Sequence, residues 1–536
     1  MGNVPLTSLK LSFAPLLPRA TVRKRSGGGR SPVAYARGAG ILMLVLAPVF
    51  AGVSGDVSLI DLVKAGNQQA AIALIEQHAN VNAPTSDGTT ALHWAAHNGD
   101  VELVDRLLRA GADAKARNQF GATPMSEAAF LGNAAIMEKL LKAGADPDSP
   151  SADGQTALML VARTDNVSAA KSLLDHGAHV DAREKQKEQT ALIWASAESQ
   201  PGMVRELIAH GADVNAHSHI EEWLAQVSSE PRAQHLSYGG FTPLLYATRE
   251  GCLSCIQSLV EGGAKLNVPD PEGVTPLIMA ITNAHFDAAK YLIDKGAMVD
   301  KWDWWGRSPL YCAVDMNTIP HGGRADGPSL DETTPLQIIE QLLDKGANPN
   351  LQLKLLPPFR SVGADRGVDQ MLTIGVTPLL RAAKALDAPA IKLLLAHGAL
   401  VNLPNIRGTT PTMAAAGLGS VDADTRGVYT TPDVQQRSLA SLELLLAAGG
   451  EINAADGRGQ TPLHGAAFWG WNDVVQFLVD HHANLNAVDL KGKTPIDSAM
   501  GRAGGNSRGG QRIDVHEDTA ALLKKLGETA TKQPEP

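Results

Sequence analysis

Aromatic residues make up only 4% of the 536-residue chain, and there are just three cysteines, Cys252, Cys255 and Cys312. Three thiols exclude a disulfide framework and a four-cysteine zinc site. Positive charge is in short supply too. Forty-seven Lys and Arg face 56 Asp and Glu, for a net charge of −9. A protein that grips nucleic acid over a broad face needs a concentrated basic patch, so that class is disfavoured. There is no G-x-S-x-G and no phosphate-binding glycine loop. His217 with His219, and His481 with His482, have no acidic or cysteine partner at metal-ligand spacing, and Asp422 with Asp424 is too short for a calcium loop. No catalytic, metal or cofactor site is expected.

What is plentiful is alanine, leucine and glycine, a composition suited to short packed helices joined by tight turns. It falls into a repeat. The lead residues of a recurring Thr-Pro or Thr-Ala pair are Thr90, Thr123, Thr156, Thr190, Thr242, Thr275, Ser308, Thr377, Thr410, Thr461 and Thr494. Their spacings are 33, 33, 34, 52, 33, 33, 69, 33, 51 and 33 residues. A fixed unit therefore exists, and the three long gaps are a unit plus insertion. Within a unit, a threonine hydroxyl caps a helix and proline takes the first helical position, where no N–H is missed. Gly99, Gly132, Gly251 and Gly470 close that helix. A second helix follows, with Leu103, Val104, Leu107 and Leu108 on one stripe in the first full unit. An extended finger then leads to the next threonine.

This pattern resembles the ankyrin repeat. The match is carried by DGTTALHWAA, FGATPMSEAA, GGFTPLLYAT, RGTTPTMAAA and RGQTPLHGAA, and by partners such as LLRAGADAKA, LIAHGADVNA and LVDHHANLNA. The resemblance implies an all-α solenoid of about twelve helix–turn–helix units with hairpin-like fingers, spanning residues 56–528. Residues 56–86 form a degenerate N-terminal cap unit and 494–528 a C-terminal one. Residues 529–536 read as a disordered tail. It also implies a monomeric, non-catalytic scaffold that binds another protein on the concave face made by fingers and first helices.

The chain departs from that pattern in two ways. The histidine of the family's TPLH stretch, which links backbone within and between units, stands only at His93 and His464, leaving inter-unit hydrogen bonding in doubt elsewhere. Four insertions also interrupt the array. His217 to Leu236 and Leu351 to Thr373 lengthen fingers; Asp315 to Thr333 and Gly417 to Arg437 separate the two helices of their units. Long loops in compact arrays are often functional, so the insertions carry a second reading, an enzyme or enzyme-accessory pocket built by the four loops.

Candidate partner-binding residues are Trp302, Trp304 and Trp305 on one finger, with Phe359 and Tyr429 in the inserted loops. Trp469 and Trp471 lie at an inter-helix turn, where packing is expected. Cys252 and Cys255 open a second helix and are close enough to form a local disulfide; no thioredoxin-like βαβ context surrounds them. Cys312, two units away, should not reach them. Ahead of the array, a basic stretch without a single acid precedes the apolar run Ala39 to Gly55. Residues 1–55 thus have the layout of a secretory signal peptide, implying a periplasmic or secreted protein. An uncleaved anchor, making a tethered envelope protein, is the alternative; no other membrane contact is expected.

Overall fold

A computed structural model describes residues 58–222, 237–318, 329–355, 373–419, 431–501 and 515–530. Among them are 24 helices, in twelve consecutive pairs, and one two-stranded sheet. The chain is all-α, as the repeat implies.

Each pair follows from its capping residues. In the units led by threonine, that residue is extended and stands just outside the first helix. Thr123 Oγ1 accepts the Ser126 N–H at 3.1 Å, and Thr242 Oγ1 that of Leu245 at 3.2 Å. Unit 1 has no such threonine. Ser58 takes the role, accepting the Asp61 N–H at 3.2 Å ahead of helix Leu59–Lys64. Gly251 and Gly470 close their helices in the left-handed conformation, with φ of 74° and 71°.

The pairs stack in two layers. Every first helix touches the first helices of its neighbours, and every second helix does likewise, without a break from unit 1 to unit 12. Leu92, Leu107, Met125, Leu140, Leu158 and Leu173 are fully buried between the layers. Each such side chain contributes roughly 1.5–3 kcal/mol. The stabilisation is local to neighbouring units, as in any quasi-one-dimensional array.

Fingers are closed by one recurring backbone bond. The N–H of Asn118 donates to Ala122 O at 3.0 Å, that of Asp270 to Val274 O at 3.0 Å, and that of Asp489 to Lys493 O at 2.8 Å. Two insertions sit inside this closure. Ser218 N–H reaches Phe241 O at 3.1 Å, and Leu353 N–H reaches Val376 O at 3.0 Å. Just beyond the first closure, Ile220–Glu221 pairs antiparallel with Tyr238–Gly239. The other two insertions are shorter than their sequence suggests. Asp315 to Thr318 extend the first helix of unit 8, Pro309–Thr318, and Val434 to Arg437 already belong to helix Val434–Ala447. The returning end of the unit 8 insertion is docked on unit 7, where Asp287 accepts from Thr333 N–H at 3.0 Å and Thr333 Oγ1 at 2.6 Å.

Inter-unit bonding does not depend on the TPLH histidine. His93 and His464 behave as the repeat implies: Nδ1 accepts from the threonine N–H, and Nε2 donates to Ala122 O at 3.1 Å and Lys493 O at 3.2 Å. Burial holds both rings below the ordinary histidine pKa. Elsewhere a ladder of Asn and Asp in the turns that follow the second helices does the linking. Asn82, Asp148, Asp181, Asn215, Asn267, Asp300, Asn350, Asn402 and Asn453 each accept a backbone N–H of the next unit, at 2.8 to 2.9 Å. Lys115 is the one interruption of that register. Among the described residues no helix is long and apolar enough to cross a membrane.

Candidate functional site

The first-helix layer has an outer side that no second helix covers. One register position, the residue after the TPLH histidine place, points to it in every unit. In units 2 to 6 it is held by Trp94, Glu127, Leu160, Trp194 and Tyr246, all half-buried. Three residues further on stand His97, Phe130, Arg163 and Arg249, which are exposed. The two rows interact. Arg163 lies over the Trp194 ring at 5.5 Å and Arg249 over the Tyr246 ring at 4.9 Å. Lys64 of unit 1 lies over Trp94 at 5.1 Å. Acids close the set: His97 meets Glu127 at 2.9 Å and Arg163 meets Glu198 at 3.3 Å. The result is a row of amphipathic rings held in place by cations, chemistry suited to a protein surface. The Trp194 indole N–H, although buried, has no hydrogen-bond partner among the described residues.

From unit 7 onward the same register is buried. It holds Met279, Cys312, Arg381, Ala414, Gly465 and Ser498. Charged side chains there are paired. Arg381 Nε lies 2.7 Å from an Asp315 carboxylate oxygen, both nearly buried, and Arg307 Nε lies 2.6 Å from Asp303. Burial raises the Asp303 pKa against the pull of Arg307. Asp270, on the adjoining finger, is pushed up to about 6 by the same cause.

The tryptophan finger divides. Trp302 is 44% exposed and Trp304 54%, whereas Trp305 is 4% exposed. Trp305 folds down beneath the Arg307 guanidinium, 4.9 Å from its ring, and Lys354 sits 3.1 Å above Trp302. Trp305 is therefore a packing residue, and Trp302 and Trp304 remain exposed. Exposed Ile406, Val488 and Leu490 continue an apolar edge along later fingers. Phe359 and Tyr429 lie outside the described residues, as do most of the four inserted loops, the 1–55 leader and residues 531–536 of the expected tail. Trp469 and Trp471 stack at 6.0 Å, and the Trp469 indole N–H donates to Gly417 O at 2.9 Å. Cys252 and Cys255 are bonded, with Cα atoms 5.2 Å apart, and Cys312 is buried and lies outside that disulfide.

Sequence reasoning passed over the row at Trp94, Trp194 and Tyr246. Its signal was present: aromatics at one fixed offset from the lead threonine in three of five consecutive units.

Comparison with known proteins agrees with this architecture. The family described as ankyrin repeats (3 copies) matches residues 59–151, 125–218, 244–353 and 434–508, together more than half of the chain. Rabankyrin-5 of Homo sapiens is 53% identical over 51 residues, 10% of this chain and 4% of that protein. Transient receptor potential cation channel subfamily A member 1 of Drosophila melanogaster is 26% identical over 164 residues, 30% of this chain and 13% of that protein. The chain thus spans a small fraction of the length of these relatives. Among solved structures, the human ASB11 ankyrin repeat domain is 25% identical, with 44% of this chain and 96% of that one covered and a TM-score of 0.36. The ankyrin repeat domain of Bcl-3 is 26% identical, with coverages of 42% and 94% and a TM-score of 0.35. With the family matched over most of its unbroken stack of helix pairs, this chain belongs to the ankyrin repeat family.

Proposed function

We propose that the array is a non-catalytic scaffold that binds a protein partner on the first-helix face and fingers of units 2 to 6. Ankyrin repeats generally mediate protein–protein interaction. The observation that carries the finer reading is the cation-braced row Trp94, Trp194 and Tyr246, half-buried while its register is buried from unit 7 onward. Rings fixed by Lys64, Arg163 and Arg249 lose little freedom on docking, the usual condition for an interface anchor. Trp302 and Trp304, exposed on the finger after unit 7, extend that face as a second anchor.

The test is affinity capture from the producing organism with mass spectrometry, using wild type and the Trp94→Ala/Trp194→Ala double variant side by side. Partners that bind through this face are depleted in the variant at equal folded fraction. Equal recovery removes the face from consideration. Export is part of the same reading, supported by the basic stretch ahead of Ala39 and by the bonded Cys252–Cys255 pair, which suits an oxidising compartment. Recovery of the chain solely in the cytoplasmic fraction overturns that part alone.

A further inference from the structure

The disulfide of unit 6 closes a loop too short to hold the fold together. Cys252 and Cys255 are three residues apart, at the start of helix Leu253–Glu261. Loop-closure stabilisation is smallest for such short spans. Nor does the helix need a covalent clamp. In other units the N-cap of the second helix is an oxygen-bearing side chain: Asn67, Asp100, Asn133, Asn166 and Asp387 each accept the N–H of the third helical residue. Cys252 stands at that register, and its Sγ accepts the Cys255 N–H at 3.3 Å.

The two cysteines differ in exposure. Cys252 is half-buried, whereas Cys255 is fully buried. Attack from solvent is therefore confined to one sulfur. When Cys252 is released, its thiolate occupies the place where Asp100 and Asp387 carry carboxylates. The same N–H and the positive end of a nine-residue helix stabilise the charge.

From the paired sulfurs, their unequal burial and the carboxylate register, we infer that Cys252–Cys255 is a thiol–disulfide exchange site. Cys252 is the sulfur that exchanges with external thiols and Cys255 the buried resolving partner. The chemistry balances with a dithiol as the reductant. Its thiolate attacks Cys252 Sγ, a new S–S bond forms, and the Cys252–Cys255 bond breaks. The electron pair leaves on Cys255, which takes up a proton. The second arm of the dithiol then attacks its own bound sulfur and expels Cys252 as thiolate. The dithiol ends as a disulfide and the protein gains two electrons. Running in reverse, the reduced site passes its two electrons to a partner disulfide, and the Cys252–Cys255 bond forms again.

The test uses the full chain, natively folded, with dithiothreitol as the probe. The protein is reduced, freed of reagent and alkylated with iodoacetamide over a range of pH, and each cysteine is followed by peptide mass spectrometry. Cys252 is expected to react roughly tenfold faster at pH 7 than an ordinary exposed thiol. Its rate should reach half-maximum below the usual thiol range, while Cys255 and buried Cys312 lag. A Cys252 rate equal to that of a simple thiol, or a disulfide left intact by excess reductant in the folded protein, overturns the inference. A second arm guards against misfolding. Incubated with oxidised glutathione, Cys255→Ser, with its helix content checked by circular dichroism, should accumulate a mixed disulfide at position 252 and release one reduced glutathione, and Cys252→Ser should accumulate none at 255. The opposite pattern, or equal labelling of both, rejects the assignment of roles.

Discussion

Units 2 to 6 and units 7 to 12 are built from the same repeat, yet one register position serves them differently. In the first group it presents Trp94, Leu160, Trp194 and Tyr246 half-open on the first-helix face; in the second it is closed over Met279, Cys312, Arg381, Ala414, Gly465 and Ser498. The repeat fixes the direction in which that side chain points. What lies above it decides whether it is a surface or a core. Where the chain comes close, the residue must be small. A Cβ added at Gly465 would lie 2.5 Å from the Leu418 nitrogen. Where the residue is long and charged, it must be paired, as Arg381 is with Asp315.

The contrast can be broken most severely at that pair. Arg381→Ala leaves the nearly buried Asp315 carboxylate without its guanidinium, at a cost of ~3–5 kcal/mol. Arg249→Ala, at an exposed pair on the open face, should cost ~1 kcal/mol or less. Native-state hydrogen exchange should place the first loss in units 8 and 9 alone, because stability in an array is local. Exchange that accelerates equally in units 2 to 6 would contradict the division. Next in size is Gly465→Ala, expected to cost about 1–3 kcal/mol through backbone overlap. Leu160→Ala, at the same register on the open face, loses a side chain that is already half in water and should cost less. Thermal unfolding of both variants compares the two faces at one position.

Asp270 sharpens the comparison by pH. Burial pushes its folded pKa up to about 6 from 3.8, so the folded chain binds that proton more readily than the unfolded one. Its contribution is therefore most favourable below pH 4, declines as pH rises through 6, and stays unfavourable at neutral pH. Asp270→Asn keeps the turn, since Asn118 and Asn405 make the same pair of bonds at the same place. The variant should gain on the order of 1–3 kcal/mol at pH 8, with a flatter profile between pH 4 and 6. A wild-type melting temperature that does not change across that range rules out the assignment. The smallest structural effect belongs to Trp302→Ala/Trp304→Ala, under ~1 kcal/mol of stability for two half-exposed rings. Partner recovery, measured as above, should nonetheless fall. Undiminished recovery excludes the finger edge as an anchor.

Much of this fold was legible in the residues. The 33-residue interval set the unit, the threonines set the helix starts, and Ser58 filled the same role in a unit whose Thr-Pro start is missing. The insertions were visible as long gaps, but their edges were not. Asp315 to Thr318 continue a helix because Asp315 is held by Arg381, 66 residues away, and local pattern carries no trace of such a contact. The inter-unit bonding was misjudged for a related reason. Sequence shows which histidines are missing, but the ladder of Asn and Asp that replaces them exists only when units are stacked. Of the three finger tryptophans, sequence gave no reason to separate Trp305 from its neighbours. Its position two residues before Arg307 puts the ring under the guanidinium, and that is a matter of geometry rather than composition.

The hairpin seal at Ser218–Phe241 and Leu353–Val376 has an outcome for how such a chain changes length. Each added stretch leaves and re-enters through one narrow backbone closure, so the pitch of the stack is blind to what hangs beyond it. Residues can be gained or lost there as on a branch, while every unit downstream keeps its footing on the one before.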